Sequence, residues 1–369
     1  MIDHTFVMTD LSISEGFFME KIMEHHLSYV DQVLLFKKKG ITGIDQNSIK
    51  FEKQVNTLKI IGYYKLKQYS YAFWDHDNNQ YMGISFDELV KRYYRDQRLK
   101  QEIFQAIGDI ETALNNEISY ILGKTDPYLY LDFEKWCQNS GRNKYLGTVK
   151  RRGRIMGVKI DKYKIKNEEL AFLSQLQHQV KKSNYIDVQK FERTDRTRIF
   201  PTVWLMVNTL SFGQSIYLAK LMLPDNRKEI SQKLFHLDIK SLIQSLELLN
   251  LIRNICCHNG DLVDISLKTM PKVATKYRKY LNMDNGNYPH RLAIVIISLL
   301  DLMYSLNKKY DFKYLKRTLN SLCKDTGRTQ NYLAKRMGFK DKNSINALIE
   351  SYKDKRAITF YPDGSYIYR

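Results

Sequence analysis

Cysteine, proline, glycine and long apolar runs are all in short supply, and each shortage removes a class of protein. Four cysteines in 369 residues, Cys137, Cys256, Cys257 and Cys323, are too few and too scattered for a disulfide scaffold. A reducing, cytoplasmic setting is therefore expected. The longest apolar run, Leu292 to Leu300, is interrupted only by Ser298 and falls far short of the roughly 18 residues that span a bilayer. It reads as a buried helix, and no membrane anchor is expected. The opening MIDHTFVMTDLSISEGFF has no basic region followed by an apolar stretch, so no secretory signal is expected either. Walker loop, dinucleotide glycine fingerprint, zinc-ligand spacing and fixed-period repeat are all missing, and the expectation is no metal and no cofactor. Acidic residues are in deficit: 40 against 59 lysines and arginines leave a net charge of +19. A polyanionic partner follows, nucleic acid first and anionic membrane second. A basic surface that serves solubility alone gives the same sum, so the distribution of charge has to decide.

With 43% hydrophobic and 27% charged residues the composition is that of a folded chain. Six prolines, 17 glycines and apolar residues recurring at three- and four-residue spacing make it mainly α. The expected divisions are an N-terminal helical region at 1–85, a helical core at 86–310 with a basic insertion near 140–168, and a C-terminal helical pair and small hairpin at 311–369. Ser48 to Ile61 reads as a helix closed by Gly62. The tyrosine-rich segment from Gly62 to Trp74 is either core or a base-stacking platform and is assigned to the core. From 86 to 122, Leu89, Tyr93, Leu99, Ile103, Ile107, Ile110, Leu114, Ile118 and Ile121 keep helical period, with Lys91, Arg92, Arg95 and Lys100 expected on the remaining faces.

Residues 141–166 hold ten basic side chains and one acid, Asp161. Spaced glycines predict an extended loop or hairpin. Arg142, Lys144, Lys150, Arg151, Arg152, Arg154, Lys159, Lys162 and Lys164 are candidates to grip phosphates, with Tyr145 and Tyr163 placed to stack on bases. A mobile solvated insertion is the alternative. Pro201 to Leu223 reads as two apolar helices broken near Gly213. Residues 329–349 superficially resemble a DNA-binding helix-turn-helix, yet a helical pair packed on the body is the expectation. The tail, with Pro-Asp-Gly between β-prone runs, predicts a hairpin.

Ser241 to His258 reads as a helix with Leu242, Leu246, Leu249 and Ile252 on its buried side, ending in Arg253, Asn254, His258 and Asn259 before Gly260. RNA cleavage without metal needs a base for the 2′-hydroxyl proton, a cation on the phosphate and a proton for the 5′-oxygen. Histidine as a residue type suits both proton steps, arginine clamps phosphate through two parallel hydrogen bonds, and asparagine orients phosphate or imidazole. At about 100° per residue, Asn254 and His258 share a face while Arg253 and His258 diverge by about 140°. Two such helices across a two-fold axis would complete the site. Taken alone, an arginine followed five residues later by histidine is better described as a capping histidine beside a surface arginine.

DQVLLFKKKGI at 31–41, LKIIGYYKLKQYSYAF at 58–73, FDELVKRYYRDQRLKQEIFQAIGDIETAL at 86–114, WLMVNTLSFG at 204–213 and RNICCHN at 253–259 are similar, in order, to successive blocks of the Abi family of bacterial abortive-infection proteins, the AbiD/AbiF-like group. The resemblance implies a HEPN-like helical bundle with helical elaborations, a homodimer, and an endoribonuclease with Arg253, Asn254 and His258 as catalytic residues. It further implies a toxin-like antiviral role and, as in some members, restraint by a small structured RNA. Asn259, Gly260 and Asp261 depart from the second histidine or asparagine and the arginine that often follow the family's histidine. Glu111 matches the family's central Ile-Glu pair and is expected to support the active-site helix or to be solvated; the arginine common four residues later is Asn115 here. Asp96 and Arg98 match an Asp and an Arg whose expected role is a structural ion pair. Met337 to Ser344 resembles the family's Met-Gly-Phe end region, which argues against a separate DNA reader.

Overall fold

Capping chemistry sets the helix boundaries at the N-terminal side. The Ser28 hydroxyl accepts from the Asp31 N–H to open Tyr29–Lys38 (α1), and Ser48 accepts from the Lys50 N–H to open Ile49–Ile61 (α2). Gly62, at φ 86°, ends α2 and turns the chain into Tyr63–Gln68 (α3), a conformation that costs glycine little. Tyr63, Tyr69 and Phe73 are buried, so most of the tyrosine-rich segment is core, as expected, while Tyr64 faces out at 53% exposure. Trp74–Asp75 (β1) and Gln80–Tyr81 (β2) pair antiparallel before the chain enters Phe86–Gly123 (α4).

The computed structural model describes residues 26–138, 145–151, 154–159, 162–195, 197–324, 331–353, 359–360 and 366–367, with the backbone alone at 145–164, at 353 and in the last two strand segments. α4 is one continuous helix of 38 residues, about 57 Å long. Its apolar stripe is buried as the periodicity predicts, but two of the cations expected in solvent are not exposed. Arg92 is 3% and Lys100 4% exposed. Both sit on the same helical stripe as Leu89, Leu99 and Ile103, and both are held there by carboxylates described below.

Phe133–Trp136 (α5) precedes the antiparallel strands Tyr145–Arg151 (β3) and Arg154–Lys159 (β4), which pair Val149 with Met156 and Arg151 with Arg154. The expected hairpin exists, but Lys162–Lys182 (α6) begins within the basic segment, so Lys162 and Lys164 start a helix rather than continue a loop. Arg142, Lys144 and Arg152 lie outside the described residues, as do the side chains of Lys150, Arg151, Arg154, Lys159, Lys162 and Lys164. Ile186–Thr194 (α7), Val203–Met206 (α8), Phe212–Leu221 (α9) and Pro224–Lys228 (α10) follow, and a π-helical stretch, Glu229–Leu234, comes next. The break in the apolar pair falls at Leu210 and Ser211, where Ser211 and Gln214 form a capping box. Gly213 instead lies inside α9, where a Cβ would meet Asn250 Nδ2 at 3.4 Å.

The remaining helices are Ile239–Cys257 (α11), Leu292–Leu306 (α12), Lys313–Leu322 (α13), Tyr332–Arg336 (α14) and Lys342–Lys353 (α15). α12 is the apolar run and is buried along its length, and among the described residues no helix is long and apolar enough to cross a membrane. Leu333, Met337, Phe339, Ile345, Leu348 and Ile349 of the C-terminal pair are buried, which makes it part of the core rather than a free reading head. Thr359–Phe360 (β5) pairs with Tyr366–Ile367 (β6), and the Pro362–Gly364 turn of the expected hairpin lies outside the described residues. Contacts gather the chain into two compact units. Gly108–Asn250 is the body of one; the described residues up to Ile107 and from Leu251 onward form the other. In the first, Tyr130 donates to the Pro201 carbonyl (2.7 Å) and Phe133 stacks edge-on to Trp136. The second holds α1 to α3, α12 to α15, the first part of α4 and the end of α11.

Candidate active site at the end of α11

Leu242, Leu246, Leu249 and Ile252 are fully buried along α11, and that stripe fixes the rotation of the helix's last turn. Arg253 and Asn254 emerge half-buried; Cys257, His258 and Asn259 are exposed. The His258 N–H still donates to the Asn254 carbonyl at 3.0 Å, so Asn254 and His258 are stacked one turn apart, as expected. The chain then closes with a Schellman arrangement. Asn259 adopts φ 54°, its N–H donates to Cys256 O (3.2 Å), and the Gly260 N–H donates to Ile255 O (2.8 Å). The left-handed stop is thus Asn259, and not Gly260 as the sequence suggested. Gly260 is required for another reason: a Cβ there would lie 2.7 Å from Ile255 Cγ2.

Side chains from α3 and α4 grip this turn. Lys65 donates to the Asn259 carbonyl. Gln97 Nε2 (2.7 Å) and Lys100 Nζ (2.8 Å) both donate to Asn259 Oδ1, and Lys100 also reaches the Gly260 carbonyl at 2.9 Å. Cations at a helix C-terminus answer its partial negative charge as well as its unused carbonyls. Beneath them, Asp96 is fully buried and accepts from Tyr69 Oη (2.7 Å), the Val263 N–H (2.9 Å) and Lys100 Nζ (3.2 Å). The expected ion pair of Asp96 with Arg98 is not formed: Arg98 is exposed, and the partner one turn along is Lys100. Arg92 pairs with Asp264 at 2.8 Å, its guanidinium lying over the Phe73 ring, and Arg336 approaches the same carboxylate at 3.6 Å. Three helices, α3, α4 and α14, therefore converge on residues 259–264.

Burial pushes the Asp96 carboxyl up, with Lys100 and Tyr69 pulling against it. Burial likewise drives Asp261 well above the ordinary carboxylate value, and the adjacent Asp264 and Asp96 charges add to the effect. Asp264 goes the other way: desolvation is outweighed by Arg92 and Arg336. Burial, then the nearby Lys100 ammonium, lowers Lys65. The Cys256 thiol is pushed up to about 12, first by burial and then by Asp96, so the cysteines of the motif supply no ready thiolate at that position. Among the described residues no three His, Cys, Asp or Glu side chains are arranged to hold a metal ion.

Arg253, Asn254, His258 and Asn259 are thus within one helical turn and its cap, in the unit that holds residues 251 onward. Glu111 is half-buried in the part of α4 that belongs to the Gly108–Asn250 unit, and the basic hairpin belongs to the same unit. Lys65, Tyr69, Gln97, Asp96, Lys100, Arg92 and Asp264 were not singled out as site residues from sequence. One signal was present: Arg92, Asp96 and Lys100 interrupt an apolar stripe with charges at four-residue spacing, and charges on a buried face need partners.

The fold and the site define a mainly α protein whose polar cluster is displayed at the C-terminal end of a buried-stripe helix. A family model described as Abi-like protein matches residues 56–264, more than half of the chain, and the chain belongs to that family. The matched span runs from α2 to Asp264, the last carboxylate of the cluster. No curated protein and no solved structure matches the chain.

Proposed function

We propose that the chain is a metal-independent endoribonuclease of the HEPN type, acting as a toxin-like effector of abortive infection in the bacterial cytoplasm, restrained by a bound small RNA. The observation that carries the reading is the Arg253-Asn254-x-x-x-His258 run at an anchored helix end with the histidine exposed, in a member of the Abi-like family. His258 takes the proton of a ribose 2′-hydroxyl; the 2′-oxygen bonds to phosphorus; the bond from phosphorus to the 5′-oxygen breaks; and that oxygen receives the proton from the His258 imidazolium. Arg253 neutralises charge gathering on the non-bridging oxygens, and Asn254 orients phosphate or ring. Because Arg253 and His258 project about 140° apart on one helix, a second copy of the chain completes the site. The products are a 2′,3′-cyclic phosphate and a 5′-hydroxyl. The net charge of +19 suits an RNA substrate and an RNA regulator alike. Cleavage of RNA with EDTA present, lost in His258→Ala, tests the reading; RNA that stays intact under all conditions assigns the motif to phosphate binding without catalysis.

A further inference from the structure

A line of side chains on α4 passes the end of α11: Tyr94, Gln97, Gln101 and Phe104, spaced three, four and three residues apart. Gln97 is the residue that donates to Asn259 Oδ1, next in sequence to His258. On either side of it stand two aromatic rings with large exposed surface, Tyr94 at 49% and Phe104 at 42%. Tyr94 is not a loose surface ring. It packs edge-on to Tyr93 (centroids 5.1 Å), Tyr93 packs edge-on to Tyr69 (5.5 Å), and the Tyr69 hydroxyl is fixed by the buried Asp96. That ladder holds the outermost ring in place, so little conformational freedom is lost when something stacks on it. Tyr94 and Gln97 are one turn apart, about 4.5 Å along the axis. Arg98, exposed beside Tyr94, and Lys65, which touches Asn259 from α3, supply positive charge on the same side.

We infer that this strip is a subsite for single-stranded RNA, in which Tyr94 stacks an unpaired base next to the scissile linkage while Arg98 and Lys65 meet flanking phosphates. The inference rests on the ribonuclease reading in taking RNA as the substrate, and it adds the strandedness and the contacts. Bases inside an RNA duplex are already stacked and cannot reach a protein ring, whereas splayed bases in loops and single strands can. A second copy of the chain is the less fitting occupant. Across a two-fold axis the strip would meet itself, bringing like charges of Arg98 and Lys65 together.

The test uses the full-length protein and a fluorescent single-stranded RNA oligonucleotide with 2′-O-methyl riboses, which cannot be cut by 2′-oxygen attack. Binding is read by anisotropy, and the mass in solution is measured alongside. Tyr94→Ala should weaken binding about tenfold, with Tyr94→Phe and Tyr94→Trp within about twofold of wild type, because a ring is what is needed. Lys65→Met should lower the slope of log affinity against log salt by about one. The matching duplex should be bound equally by wild type and Tyr94→Ala. The inference is overturned if Tyr94→Ala stays within about twofold of wild type on the single strand, or loses as much on the duplex. It is also overturned if the variant turns dimer into monomer with RNA affinity unchanged. Cutting of unmodified RNA is scored separately: its absence with the binding pattern intact sinks the ribonuclease reading and keeps the strip.

Discussion

Asp261 is where the charges around the motif are least balanced. Asp96 has Lys100, Asp264 has Arg92 and Arg336, and Asp261 feels the charge of both those carboxylates and accepts an N–H from Asp264 at 3.3 Å. Its folded-state pKa lies well above the ordinary value, so the folded protein holds the proton more tightly than the unfolded chain does. Stability therefore falls as pH rises from about 4 through that raised value. Asp261→Asn keeps the shape and removes the titration. The variant should melt at higher temperature than wild type near pH 7, with the gap closing toward about pH 4, when melting curves are followed across pH. Curves displaced by a constant amount at every pH would contradict this. The neighbouring charges show what sequence could and could not tell. As cations on an amphipathic helix, Arg92 and Lys100 read as solvent-facing, although their angular position lies within the Leu89, Leu99 and Ile103 stripe. The partner of Arg92, Asp264, is 172 residues away, and no local pattern announces it.

At the scale of elements, the end of α11 was legible as an end but not in its workings. Asn-Gly after an apolar-periodic helix says that the helix stops; only the backbone angles show Asn259 taking the left-handed position and Gly260 sitting where Ile255 leaves no room. Gly260→Ala should therefore cost about 1–3 kcal/mol in urea unfolding, because a β-branched residue in a helix has little rotamer freedom to yield. Ile255→Leu, which removes Cγ2 at the crowded spot, should recover much of the loss in the double variant. A cost of Gly260→Ala that is unchanged in the Ile255→Leu background would show that crowding is not the cause. Helix periodicity was a sound guide wherever apolar residues carried it, as in α4, α11 and α12. It misplaced the break in the 201–223 pair, since a glycine looks like a stop whether it ends a helix or admits a neighbour such as Asn250.

At the scale of the whole molecule, the account asks for two copies per site. If Arg253 of one copy serves His258 of the other, Arg253→Ala and His258→Ala proteins, each inactive alone, should regain activity when unfolded and refolded together. Random pairing would give mixed dimers with one complete site each, so about a quarter of wild-type turnover is expected. No recovery despite mixed dimers would place both residues in one protomer. The C-terminal pair belongs to this scale too: its buried apolar face and the approach of Arg336 to Asp264 make it part of the unit that carries the motif, a long-range arrangement that local spacing could suggest but not fix. The central claim is tested most directly by incubating single-stranded RNA with the purified protein in EDTA and reading the new termini by mass spectrometry. Fragments ending in 2′,3′-cyclic phosphate and beginning with a 5′-hydroxyl, absent with an equally folded His258→Ala protein, are the predicted result. Intact RNA, or the same fragments from His258→Ala, would contradict it.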